Sequence, residues 1–167
     1  MNIFINKFMD NRPTFFYNED QTKPIRAGGV LIYNNNNLLM IKTNYNNIEK
    51  YEDIGGKSDE KDIDIYSMVA REVAEETNFK LDQEIIKHQI KSSKSIYIPI
   101  AKYVLFIVKA NSYEKKLTID DFGNKELFEN IDRIINWITI DDFLHKKINL
   151  NPRLKSYELN EFLTNLT

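Results

Sequence analysis

The chain contains no cysteine, so disulfides, thiol nucleophiles and thiolate metal sites are excluded. It has two histidines, His88 and His145, far apart in sequence, and an imidazole-rich metal centre is not expected. A metal in this protein therefore has to be held by oxygen, which suits magnesium, manganese or calcium. Neither sign of charge dominates: 23 Lys and Arg oppose 25 Asp and Glu, leaving −2. That balance gives no general pull toward nucleic acid or an anionic membrane. The longest apolar block, "YVLFIV" at 103–108, is far too short to span a bilayer. The opening "MNIFINKFMD" is interrupted by Asn, Lys and Asp and does not read as a signal peptide, so the cytosol is the expected compartment. Glycine is scarce as well. Four of the five glycines form two pairs, Gly28-Gly29 and Gly55-Gly56.

What is present is globular in character. A 42% hydrophobic content over 167 residues can bury a core without metal or disulfide staples, and one domain spanning 1–167 is expected. "AGGVLIY" (27–33) and "LLMIKT" (38–43) have strand length and flank an Asn tract, which reads as a β-hairpin with a loose polar turn. "SIYIPIAKYVLFIVKA" (95–110) is the strongest β signal, with Pro99 marking a break between two strands or an edge. "DDFGNKELFEN" (120–130) reads as a loop, "INWITI" (135–140) as a last strand, and 141–167 as a closing helical segment. From Ile65 to Thr77 the period is helical: Tyr66, Val69, Ala70 and Val73 make one apolar stripe. The irregular alternation of strands and helices argues for an α/β sandwich, a sheet covered by helices.

The helix carries the chemistry. In "REVAEETNF" (71–79) three glutamates fall within five positions. At about 100° per residue, Glu72 and Glu76 stack on a face next to the apolar stripe, with Glu75 on the same side. Like charges at i,i+4 repel by a few tenths of a kcal/mol, and the C-terminal half of a helix disfavours them further. Breaking two local rules in one turn is expected of a functional site. A divalent cation would convert that repulsion into binding. Gly55-Gly56, upstream, offers close backbone approach or a positive φ and an exposed carbonyl as a further ligand. Asn78, after Thr77, stands where a left-handed helix cap is expected.

Together, "GGKSDEKDIDIYSMVAREVAEETNF" (55–79) resembles a Nudix box: G, five residues, E, seven residues, then R-E-U-x-E-E-x-G-U, with U bulky and apolar. Arg71, Glu72, Val73, Glu75, Glu76 and Phe79 fall in place. Three departures stand out. Asn78 replaces the glycine, Asp62 stands five residues after Gly56 in place of glutamate, and eight residues separate Asp62 from Arg71 instead of seven. Either Asp62 or Asp64 then fills the first acidic role, or the role is lost, and the loop carries a one-residue insertion. The resemblance extends over residues 26 to 145, including the paired strands before the box and the strand-then-helix around Trp137.

The resemblance implies a Nudix-type α-β-α sandwich with a mixed curved sheet, and a pyrophosphohydrolase using Mg²⁺ or Mn²⁺. Glu72, Glu75 and Glu76 would be metal ligands, helped by a carbonyl at Gly56. Glu75, Glu76, Arg71 and Asp62 would form the catalytic set, with Arg71 orienting Glu75 through an i,i+4 ion pair. The general base is a box glutamate or a later loop carboxylate, for which Glu126 and Glu129 are candidates against the plainer reading as solvated loop residues. Lys57, Lys42 and Arg26 are candidates for meeting phosphate oxygens. The substrate is expected to be a small diphosphate-containing molecule such as a nucleotide derivative, with a diphosphoinositol polyphosphate or capped RNA as alternatives and no membrane partner. A homodimer is compatible with the family, and a non-catalytic nucleotide-sensing module is the competing class.

Overall fold

The computed structural model describes residues 11–167; the opening segment on which the absence of a signal peptide was read lies outside them. A short pair, β1 (Phe15–Phe16) and β2 (Pro24–Ile25), precedes the main sheet. Strands β3 (Ala27–Asn34) and β4 (Asn37–Tyr45) form the expected hairpin, paired directly only from Ile32–Leu39 to Asn34–Asn37. Beyond that point they splay. The gap is filled by β5 (Ile48–Glu52), paired with β4, and β6 (Ile54–Lys57), paired with β3, on either side of Asp53.

The remaining strands are β7 (Lys94–Ile98) and β8 (Tyr103–Lys109), with β9 (Lys125–Glu126), β10 (Ile131–Asp132) and β11 (Ile134–Thr139) further on. The seven-stranded sheet runs β11-β4-β3-β8-β7 with β5 and β6 in the fork. It is mixed, because β3 and β8 are parallel while the other pairs are antiparallel. Pro99 opens a 3₁₀ turn between β7 and β8, so it marks the break between two strands.

Helices cover both faces. On one, α1 (Ile65–Glu76) and α2 (Gln83–Lys91) bury Met68, Val69, Val73, Ile86 and Ile90 against Val30, Ile32 and Val104 of the sheet. On the other, α4 (Ile140–Leu144) and α5 (Tyr157–Thr164), after the single turn α3 (Ile119–Phe122), bury Phe143, Leu159 and Leu163 against Leu31, Met40 and Leu105. Alternate residues of β3, Val30 and Ile32 against Leu31, therefore feed opposite cores. The α/β sandwich expected from the sequence is present. Helix α2 is not among the elements expected from sequence. Its charges lie on the solvent side, and only Ile86 and Ile90 are buried. No helix among the described residues is long and apolar enough to cross a membrane.

Candidate active site

Helix α1 is fixed at both ends. At its start the Asp64 carboxylate accepts from the Ser67 amide at 2.6 Å, and the Ser67 hydroxyl is 3.0 Å from the Asp64 amide in return, a capping box. Asp64 is thereby occupied as the cap. Asp62 is the carboxylate that meets Arg71: it receives Nε at 2.9 Å and an Nη at 2.8 Å, and also the Asp59 amide at 2.7 Å. It is 8% exposed with both oxygens engaged. At the helix end Asn78 and Phe79 have φ of 51° and 59°, and their amides bond back to the carbonyls of Glu75 and Ala74. The left-handed cap expected at Asn78 is there.

Arg71 has more partners than the i,i+4 pair with Glu75 expected from sequence. Its other Nη bonds Glu72 and Glu75, each at 2.9 Å, while the first also donates to the Lys57 carbonyl at 3.0 Å. Burial works against its charge, yet Asp62 and Glu72 outweigh that and hold the guanidinium protonated more firmly than usual. One arginine thus links the loop after β6 to two of the three box glutamates.

The glycine pairs face each other across β3 and β6, Gly28 opposite Gly56 and Gly29 opposite Gly55. Neither Gly55 nor Gly56 has a positive φ; among the glycines only Gly123 does, at 67°. Close approach is their reason. A methyl group built on Gly56 would lie 1.9 Å from Glu72 Oε2, so this carboxylate rests on the bare backbone of β6. One on Gly29 would strike the Tyr103 hydroxyl at 2.3 Å and Asp53 at 2.5 Å.

A cleft of about 600 Å³ opens where β3 and β4 splay. Gly56, Lys57, Glu76, Glu126 and Arg133 line it together with Glu52, Asp53 and Arg153, and Ile41, Ile100, Ala101, Ile131 and Pro152 supply its apolar lining. Of the three box glutamates only Glu76 lines this cleft, and its carboxylate accepts no hydrogen bond within the described residues. Burial, then repulsion from Glu126, pushes Glu76 up to about 7, with Arg133 opposing. Glu72 is likewise raised to about 7 by burial, against the pull of Arg71.

Glu126, one of two loop carboxylates singled out from sequence, is buried and faces this cleft, with its oxygens accepting the amides of Phe128 (2.7 Å) and Glu129. Glu129 is exposed. Lys57 lines the cleft. Lys42 is paired with Glu49 at 2.7 Å in a separate depression, and Arg26 donates to the Arg12 carbonyl away from it.

Two arginines escaped the sequence reading. Arg133, 3% exposed, donates to the carbonyls of Phe122, Gly123 and Glu76, tying the loop before β11 to the end of α1. Arg153 bonds the fully buried Asp53 at 2.6 Å, sits 4.8 Å over the Tyr103 ring and approaches Glu52 at 3.4 Å, while Tyr103 donates to Asp53 at 2.5 Å. Neither had a local signal, since the tie of Arg133 to Glu76 spans 57 residues and that of Arg153 to Asp53 spans 100.

The donors suit a hard divalent cation: the unpartnered Glu76 carboxylate stands near Glu126, Glu72 and Glu52, a local excess of negative charge that a cation would relieve. Among the described residues no three carboxylates or imidazoles yet converge at ligand spacing. Glu72 and Glu75 are drawn onto Arg71 instead, so both would have to turn toward Glu76 to share an ion.

No family model and no curated protein matches the chain. Among solved structures it is similar to a mutator MutT protein from Bacillus halodurans, at 14% identity over 83% of this chain and 79% of that one, with a TM-score of 0.46. It is also similar to a NUDIX hydrolase from Nitrosomonas europaea, at 12% identity over 85% of this chain and 87% of that one, again with a TM-score of 0.46.

Proposed function

We propose that the chain is a Nudix hydrolase that cleaves the phosphoanhydride bond of a nucleoside diphosphate linked to a further group. The observation that carries the reading is the carboxylate of Glu76, unpartnered in a cleft that Gly56 and Glu126 also line. Glu72, Glu75 and Glu76, with the Gly56 carbonyl, are the residues to hold magnesium or manganese. When bound, such ions neutralise phosphate charge and lower the pKa of coordinated water.

The chain's own groups then have distinct tasks. Arg71, braced by Asp62, gathers Glu72 and Glu75 on one guanidinium, from which they would turn toward an ion at Glu76, an orienting role of the kind that changes metal affinity when lost. Glu126 presents a carboxylate to the cleft that Glu76 also lines and can accept the proton of an attacking water. Lys57 offers a cation at the phosphate end. Arg133 and Arg153 are committed to carbonyls and to Asp53, so few free cations remain for a heavily phosphorylated ring. The apolar lining of Ile100, Ile131 and Pro152 suits a nucleobase, which favours a nucleotide derivative over an inositol polyphosphate.

The test is turnover of a panel with Mg²⁺ or Mn²⁺, beside Glu76→Gln. The panel holds nucleoside triphosphates, ADP-ribose, dinucleoside polyphosphates, a diphosphoinositol phosphate and capped RNA. Turnover of a nucleotide member that the variant abolishes is expected. Binding of the same ligands without any product would identify a sensing module instead.

A further inference from the structure

We propose that Asn78 is more than a helix cap: it is a positioning residue that sets where Glu126 stands relative to Glu76. This rests on the hydrolase reading of the cleft. A left-handed cap needs only backbone, and glycine would serve it at least as well. At Asn78 the side chain is also fully engaged, and on one loop. Its Nδ2 donates to the carbonyls of Phe122 and Lys125, both at 2.9 Å, and its Oδ1 accepts the Leu127 amide at 3.2 Å. Residues 122–127 are thereby wrapped around one amide group.

The loop in turn fixes the carboxylate. Both Glu126 oxygens take amides of the next residues, Phe128 and Glu129, so the side chain cannot move without its loop. Glu76 and Glu126 both line the cleft, where two carboxylates repel. Two like charges stay close only if something outside the pair holds them, and the ties at hand run from the end of α1. Arg133 joins the Glu76 carbonyl to those of Phe122 and Gly123, and Asn78 joins the next turn to Lys125 and Leu127. The edge-on contact of Phe79 with Phe128, 5.7 Å between centroids, continues the seam outward.

Asn78→Gly removes the three side-chain bonds and leaves the backbone free to keep its φ of 51°. The expected result is hydrogen exchange at Leu127, Phe128 and Glu129 faster by about tenfold or more, with α1 amides unchanged. On the best substrate of the panel, kcat should fall about tenfold in Asn78→Gly and about 100-fold in Glu126→Gln, and the double variant should match Glu126→Gln alone. A cap acting on stability only would lower Tm and leave that non-additivity absent. Unchanged exchange at 127–129, or independent multiplication of the two kcat losses, would overturn the inference. If Glu126→Gln is inactive and Asn78→Gly retains full kcat, this inference alone fails. If Glu126→Gln is fully active, the role of Glu126 fails with it.

Discussion

Gly55 and Gly56 are adjacent, lie in one strand and face a second glycine pair, yet substituting them should give opposite phenotypes. At Gly56 an added methyl group meets only the far end of a side chain, Glu72 Oε2 at 1.9 Å and its Cδ at 2.4 Å. Carbon and oxygen do not approach within about 3 Å, so the carboxylate must retreat by roughly 1 Å. A side chain can do that by rotating, at a cost on the order of 1 kcal/mol as the Arg71–Glu72 contact loosens. A displacement of about 1 Å in a catalytic group can cost roughly 100-fold in rate. At Gly55 the same methyl group meets backbone, Gly28 O at 2.2 Å and Gly29 Cα at 2.4 Å, and the two strands must separate. Overpacking of that kind costs about 3 kcal/mol, which in a chain of this size lowers Tm by roughly 10 °C.

The assay compares Gly55→Ala and Gly56→Ala by thermal melting, by Mn²⁺ affinity and by turnover. Gly56→Ala should melt within a few degrees of the parent while losing metal affinity and about two orders of magnitude in kcat. Gly55→Ala should lose stability first, with activity falling only as the folded fraction falls. A Gly56→Ala protein that binds Mn²⁺ and turns over like the parent would refute the assignment of Glu72 to the metal and the reason given for the glycine.

Further consequences concern buried charge. In the metal-free protein Glu72 and Glu76 titrate near 7, above the usual range for a glutamate. Between the unfolded and folded pKa values the folded state binds more protons, so stability falls as pH rises from about 4.5 toward 7. The chelated protein should therefore melt lower at pH 8 than at pH 5.5 as far as these two groups decide it, and Mn²⁺ should restore the difference; a Glu72→Gln/Glu76→Gln protein whose melting has the same pH slope would contradict this. Asp53 is fully buried and relies on Arg153 and Tyr103. Arg153→Met leaves that carboxylate without its cation and should cost about 3–5 kcal/mol in denaturant unfolding, most of it recovered by adding Asp53→Asn. A loss below 1 kcal/mol would mean that Asp53 is not charged there.

The parts of this molecule visible in sequence are those written in short periods. The stripe of Val69, Ala70 and Val73 placed α1, the β-branched run of 103–108 placed β8, and the spacing from Arg71 to Glu76 placed the acidic turn. The hidden parts are set by contacts across the fold. Arg133 and Arg153 have no neighbours in sequence that mark them, because one is tied to Glu76 and the other to Asp53 only after the sheet has formed. The burial of Glu126 escaped for the same reason: "KELFEN" is polar enough to be solvent-facing, and it is ties to Asn78 and Arg133 and pairing with β10 that accompany its inward turn. For Gly55-Gly56 the sequence left close approach and a positive φ both open, and pairing between β3 and β6 decides for close approach.

The one-residue insertion and the Asp62 substitution are best understood as a single change. An aspartate is one methylene shorter than the glutamate of the Nudix pattern, and the loop that carries it is one residue longer before Arg71. The longer loop brings the shorter side chain to the Arg71 guanidinium: both Asp62 oxygens meet Arg71, and the turn closes on itself through the Asp59 amide. Each alteration alone should then be harmful. Asp62→Glu adds a methylene to an 8% exposed site and pushes the carboxylate past Arg71, an overpacking expected to cost about 1–3 kcal/mol. Deleting the exposed Glu60 alone draws Asp62 away from the guanidinium and should cost a similar amount. Combining Asp62→Glu with the deletion should bring Tm back toward the parent. If the combined variant is less stable than either alone, the two departures are independent and Asp62 does not stand in for the missing glutamate.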